Sequence, residues 1–203
     1  MTPHPPRSAA AEPAARANGA PGDARRASVR VVTVTGSEST GKTILARDLA
    51  HHFETVWVPE RARTHLEEKL ARTGAPLTAD DVEPIARRQI EAEERGLATA
   101  TRLLVLDTDL LSTTVYARHY YGSCPRWIEQ AARDRRADLY LLCDVDAPWV
   151  SDPARDLPHL RDHMHALFVA ALEALGASYV VIGGSWIERL AAAISAVNDI
   201  VGS

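Results

Sequence analysis

Lysine is scarce in this chain: Lys42 and Lys69 are the only two among 203 residues, and arginine fills the other basic positions. Against that background Lys42, which stands inside a glycine-framed loop, reads as chemically required. Cysteine is scarce too, with Cys124 and Cys143 in no CxxC pair and no Cys/His cluster, which excludes a disulfide framework and a structural zinc site. Reduced thiols suit a cytoplasmic protein. Long apolar runs are missing, since the stretches 103–106 and 139–143 fall far short of the roughly 20 residues that cross a bilayer. Positive charge is not in excess either; a formal net charge of −4 argues against a nucleic-acid partner. Residues 1–28 hold no Ile, Leu, Val or aromatic side chain, so they cannot bury enough apolar area to offset their ordering entropy. They are expected to form a disordered tail ahead of one domain over 29–203. Without an apolar centre the tail is no secretory signal, and Glu12 and Asp23 count against a transit peptide.

What is present is an alternation. Short apolar strand patterns at 29–35, 55–59, 103–107, 139–143 and 178–182 are separated by helical patterns at 42–53, 79–101, 109–121 and 160–175. Gly176 is placed to end the last of these helices, Thr78 with Asp81 forms a capping-box pattern, and Pro84 kinks or restarts the helix that follows. Such alternation implies a parallel sheet covered by helices on both faces, an α/β fold.

The stretch Gly36-Ser37-Glu38-Ser39-Thr40-Gly41-Lys42-Thr43 fits GxxxxGK[ST] and sits between the first strand and the first helix. Glycines let the backbone curl so that several N–H groups converge on an anion, and the helix N-terminus adds its positive dipole end. Lys42 would reach the terminal phosphates of ATP, and the Thr43 hydroxyl would coordinate Mg²⁺. A second magnesium anchor is needed, and LLVLDTD supplies Asp107 at the end of a fully apolar strand. Asp109, two residues on, is better suited to cap the next helix.

The class of nucleotide protein follows from missing strings and three further features. No lysine follows the fourth strand, which removes the base-reading motif of GTPases, and no LSGGQ occurs. Glu60 ends the second strand, where a carboxylate can accept a proton from a substrate hydroxyl. A Pro-rich stretch at about 148–162 carries Arg155 and Arg161 and reads as a lid that brings arginines onto the phosphates and excludes water. Gly183-Gly184-Ser185-Trp186 could border an adenine pocket, or Trp186 could be core packing.

Together TGSESTGKT, VPERAR, DTDLLSTTVYARHYYGSCPRWI, DLYLLCDVDAPWVSDPARDLPHLR and SYVVIGGSWIERL resemble the ribosylnicotinamide kinase domain of NadR-type proteins and their stand-alone relatives. The resemblance implies a P-loop NTPase three-layer sandwich of the nucleoside/nucleotide kinase type, with a five-stranded sheet in the order 2-3-1-4-5. It implies Mg-ATP-dependent phosphorylation of nicotinamide riboside to nicotinamide mononucleotide. On this likeness Lys42 and Thr43 hold phosphate and magnesium, Glu60 and Asp107 lie near the reacting hydroxyl, Arg63 follows the strand-two glutamate, and Arg155 is the lid arginine. The chain shows neither the HxGH-type nucleotidyltransferase motif nor the DNA-binding head of full-length NadR proteins, so adenylyl transfer and repression are not expected of it. Where those relatives place an aromatic residue after the glutamate, Arg61 stands here. No Phe, Trp or Tyr lies between Trp57 and Tyr116, which leaves Trp57, Tyr116, Tyr120, Tyr121 and Trp127 as rings for a nicotinamide to stack on. Two other readings stay open: a kinase of the same build for another nucleoside or cofactor precursor, and a regulatory protein that binds ATP without transferring phosphate.

Overall fold

The structure, a computed structural model, describes residues 28–146 and 160–202. Strand β1 (Arg30–Thr35) leads through residues 36–41 into helix α1 (Lys42–His52), and β2 (Val56–Val58) follows. Then come α2 (Arg61–Thr73), a 3₁₀ turn (Ala79–Asp81), α3 (Val82–Thr99) and β3 (Leu103–Asp107). The chain continues through α4 (Leu110–Tyr121), α5 (Arg126–Asp134) and β4 (Leu139–Cys143), and closes with α6 (Arg161–Leu175), β5 (Tyr179–Ile182) and α7 (Trp186–Val201). The sheet runs β2-β3-β1-β4-β5 with every pair parallel, as the family resemblance implies.

Period-two burial sorts the strand residues onto the two faces. Val31, Leu104, Leu106, Tyr140 and Leu142 meet α3, α4 and α6. Val32, Val34, Leu103, Val105, Leu139 and Leu141 meet α1 and α7. With both faces covered, β1 after Arg30, β3 and β4 are buried continuously rather than at alternate residues.

Local signals set several boundaries. Asp81 completes a capping box with Thr78, and α3 begins at Val82 with Pro84 in its first turn, where the missing N–H is one that a helix leaves unbonded anyway. Pro84 therefore restarts the segment after the 3₁₀ turn. Gly176 ends α6 at φ 60°. Three helices escape the sequence patterns: α2, α5 and α7. Helix α2 has no buried residue, so it lacks a core-facing stripe to be recognised by.

Candidate active site

Residues 36–43 turn from β1 into α1. Gly36 adopts φ 132° against the end of β4, where an added Cβ would lie 2.9 Å from the Cys143 carbonyl oxygen. Gly41 ends the loop at φ 86°, and an added Cβ there would meet the Trp186 ring at 3.3 Å. Both the dihedral and the close approach demand glycine. Helix α1 has no side-chain cap at Gly41, which leaves its first-turn N–H groups to face an anion. Ser37, Thr40 and Lys42 are buried. The Lys42 ammonium donates to the Ser37 carbonyl at 2.7 Å, and the Thr40 hydroxyl donates to the same oxygen at 2.8 Å. Thr43 is the second residue of α1.

A residue not anticipated from the sequence braces this loop. Arg189, only 3% exposed, donates from Nε to the Gly184 carbonyl (2.9 Å) and from its terminal nitrogens to the carbonyls of Thr40 (3.2 Å) and Asp144 (3.3 Å). It also forms an ion pair with Asp146. The phosphate loop is thereby tied to the C-terminal ends of β4 and β5. The Gly184 N–H and the Arg189 charge hold the Asp146 carboxyl below the usual carboxylate range. The signal was there: Arg189 stands with Ala193 and Val197 on the buried i, i+4, i+8 stripe of α7, a charge where an apolar residue belongs. Trp186 opens α7, 37% exposed, so it sits beside the loop rather than deep in the core.

The two acids of the DTD turn part company. Asp107 ends β3 in register with Val34 of β1, two residues before Gly36, and is 1% exposed. Thr108 then takes φ 64°, a conformation uncommon for a β-branched residue, and donates its N–H to the Val34 carbonyl at 3.0 Å. Asp109 comes out facing elsewhere. It caps α4 through the Leu111 N–H (3.0 Å) and accepts the Tyr140 hydroxyl at 2.8 Å, while burial pushes its pKa up. Across β1, the Cys143 thiol is pushed up to about 11 by burial, with Lys42 and Arg189 pulling it down and Asp107 raising it. Lys42 and Asp107 thus act on one buried point. Thr43 and Asp107 offer hard oxygen donors of the kind magnesium takes. Among the described residues no group of three or more His, Cys, Asp and Glu is placed to hold a metal.

Next to the loop lies a cavity of about 460 Å³ whose wall includes Glu38, Lys42, Glu60 and Arg63. Helix α2 adds Ala62, Leu66 and Leu70, an i, i+4, i+8 stripe that faces the cavity instead of the core. This spacing is the mark by which the helix could have been found. Across the cavity, α4 adds Tyr116, Tyr120 and Tyr121, the first two stacked with ring centres 6.1 Å apart. Trp57 and Trp127 do not line it: Trp57 packs on the α1 face of the sheet, and Trp127 carries the Arg87 guanidinium over its ring at 4.8 Å. Arg161 begins α6 and is not part of this wall; Arg155 and most of the expected lid lie outside the described residues.

Asp81 pins α2, which lines the cavity, to the 3₁₀ turn ahead of α3. It accepts from the Thr78 N–H (2.7 Å), the Thr78 hydroxyl (3.0 Å), His65 (3.0 Å) and Lys69. Burial alone would raise its pKa, but these hydrogen bonds, Lys69 foremost, hold the carboxyl far below the usual range. The second of the two lysines is therefore a structural clamp.

A protein family described as AAA domain is matched over residues 31–189. The chain is 29% identical over 129 residues to the trifunctional NAD biosynthesis/regulator protein NadR of Escherichia coli K12, covering 64% of this chain and 32% of that protein. The NadR of Salmonella typhimurium matches at the same identity and coverage. The chain thus spans about a third of the length of these curated relatives. Among solved structures, NadR in complex with NR superposes with a TM-score of 0.74 at 28% identity, covering 88% of this chain and 51% of that one. NadR with NAD and AMP-PNP gives 0.72 at the same identity. A thymidylate kinase from Ehrlichia chaffeensis, 15% identical with a TM-score of 0.62 over 85% of this chain and 98% of its own, shares the fold. The family match opens inside β1 and closes on Arg189, enclosing both the phosphate loop and its brace, and on that ground the chain belongs to the AAA domain family of P-loop proteins, as a NadR-like kinase-fold member.

Proposed function

We propose that the protein is a ribosylnicotinamide kinase, transferring the γ-phosphoryl group of Mg-ATP to the ribose hydroxyl of nicotinamide riboside in the cytoplasm. One observation carries the reading: Lys42 of the phosphate loop, the Glu60 carboxylate and the three α4 tyrosines share a single cavity. The nicotinamide ring of the riboside is a permanent cation, and Glu38, Glu60 and Glu67 in the wall against Lys42 and Arg63 suit a cationic guest. Tyr116, Tyr120 and Tyr121 provide the aromatic faces that such a ring prefers. They come from the wall opposite α2, so the Arg61 that replaces an aromatic residue after Glu60 does not leave the pocket without rings. The NadR structure bound to NR supports the same acceptor.

In this mechanism Lys42 neutralises charge on the transferring phosphoryl group, with Arg155 and Arg161 completing the clamp. The loop residues Gly36, Ser37, Glu38, Ser39, Thr40 and Gly41 cradle the phosphates. Thr43 and Asp107 would hold Mg²⁺, which screens the phosphate charge when bound. Glu60 accepts the proton of the attacking hydroxyl, with Asp107 as the other acid close to the loop. The test is ADP release with Mg-ATP in the presence and absence of nicotinamide riboside, with mass detection of the product. Riboside-dependent ADP and nicotinamide mononucleotide are expected. ADP release that another nucleoside stimulates and nicotinamide riboside does not would move the reading to a different acceptor.

A further inference from the structure

Two polar residues interrupt the buried stripe of α3. Gln89 and Glu93 are 3% and 2% exposed among Val82, Ile85, Ala86, Ala92, Gly96 and Leu97. Burying a carboxyl and an amide at i, i+4 in an apolar face is costly unless both are engaged, so their partners matter. The Gln89 amide donates to Glu93 Oε1 at 3.1 Å and to the Thr108 carbonyl at 3.3 Å. Arg135, just past α5, donates to Glu93 Oε2 at 3.2 Å. A chain of contacts therefore runs from Arg135 through Glu93 and Gln89 to the peptide between the two acids of the DTD turn.

That peptide needs holding. Thr108 sits at φ 64°, a left-handed conformation that strains a β-branched residue and persists only where its surroundings over-determine it. Its N–H is fixed by Val34 of β1 and its carbonyl by Gln89, so the two ends of one strained residue are gripped from two different elements. Relaxing that dihedral would swing the end of β3, and Asp107 with it, relative to the phosphate loop.

We propose that Gln89 and Glu93 are positioning residues of the phosphoryl-transfer site, orienting Asp107 by locking the Thr108 turn. This rests on the kinase reading above. Glu93 does not line the cavity and so acts only through Gln89, whereas Gln89 borders both the turn and the cavity. The groups facing Glu93 are Gln89 from its own helix, Arg135 after α5, Asp109 after β3 and Tyr140 of β4. Burial, with Asp109 adding to it, pushes the Glu93 carboxyl up to about 7 against the pull of Arg135 and Gln89.

The experiment uses the full chain and the variants Gln89→Met, Glu93→Met and Glu93→Gln, with two independent readouts. Hydrogen exchange over the peptide spanning residues 105–112 reads the turn itself, whatever the acceptor proves to be. Steady-state kinetics with Mg-ATP and nicotinamide riboside read catalysis. Both methionine variants are expected to exchange about tenfold faster in that peptide alone and to lose about tenfold in kcat, with both KM values within about threefold of the parent. Glu93→Gln, which keeps an acceptor for the Gln89 amide, should retain kcat within about threefold. Glu93→Met should lower the melting temperature, because removing one partner of a buried pair leaves the Arg135 guanidinium and the Gln89 amide without their acceptor, so kcat is read at a temperature where every variant is folded. A fall in melting temperature with kcat of the folded protein unchanged would reduce the pair to a structural role and overturn the proposal. So would unchanged exchange, or a Gln89→Met effect confined to KM for the riboside. If the parent transfers nothing to the riboside, the functional reading fails by itself; the exchange result still decides whether these residues lock the turn, and ATP hydrolysis replaces transfer as the rate compared.

Discussion

The two sides of the candidate site are built on opposite principles. On the nucleotide side, residues 36–41 between β1 and α1, with Lys42 and Thr43 at the start of α1, form the loop; Gly36, Ser37, Thr40 and Lys42 are buried, and Arg189 clamps the loop backbone to the ends of β4 and β5. On the proposed acceptor side, the wall is gathered from α2, residues 76–78, α3 and α4, and α2 buries no residue in the core. Hydrogen bonds to backbone and a left-handed glycine hold the first; a few side-chain ion pairs centred on Asp81 hold the second. A phosphate chain is the same in every nucleotide, so its cradle can be rigid. The proposed acceptor pocket rests instead on a few partly buried side-chain pairs between α2 and Asp81, a smaller set of ties than the backbone clamp on the loop.

The contrast can be broken from either side. Lys42→Ala should lower kcat about a thousandfold while the melting temperature stays within a few degrees, measured by ADP release and circular dichroism. Retention of a tenth of the activity would mean the loop is not the phosphate site. Gly36→Ala should destabilise the fold by about 2–4 kcal/mol in urea unfolding, because a methyl group there meets the Cys143 carbonyl at 2.9 Å and φ 132° is strained for alanine. No substitution of α2 should approach that cost. Tyr116→Ala should raise KM for the riboside about tenfold with KM for ATP unchanged; an equal effect on both would erase the division between the two sides.

The smallest effect is expected at the clamp. Asp81→Asn should cost about 1 kcal/mol at neutral pH and raise KM for the acceptor about threefold. Its pH dependence has a definite sign. The folded-state pKa of Asp81 lies far below the ordinary carboxylate value of 3.8, so its contribution is complete above that value and is lost as pH falls from there toward the folded pKa. Acid titration of the parent and the Asn variant should therefore show their stabilities converging as the pH drops below about 4. Parallel curves would show that Lys69 and His65 do not hold α2 through this carboxylate.

How much of this was legible depended on whether a signal was contiguous. The phosphate loop, the five strands and the capping box at Thr78 and Asp81 each announce themselves within ten residues, because backbone chemistry of that kind is local. The differing roles of Asp107 and Asp109 were readable as strand end against helix cap, but the φ of Thr108 that separates them was not. Helix α2 was missed because its apolar stripe faces a cavity, and Arg189 because all its partners but Gly184 lie 43 to 149 positions away in sequence.

By itself, the sequence determined the alternation of strands and helices, the phosphate-binding loop and the acid that ends β3. Those features follow from hydrophobic period and local backbone preference, which need no distant partner. Only the tertiary structure decided that Tyr116, Tyr120 and Tyr121 rather than Trp57 or Trp127 face the cavity, and that Lys69 is a clamp. It alone also set Arg135, Glu93 and Gln89 behind the Thr108 turn. The reason is physical: a side chain's role is fixed by what the parallel crossovers carry to its side, and that is decided by packing across the sheet rather than by neighbours along the chain.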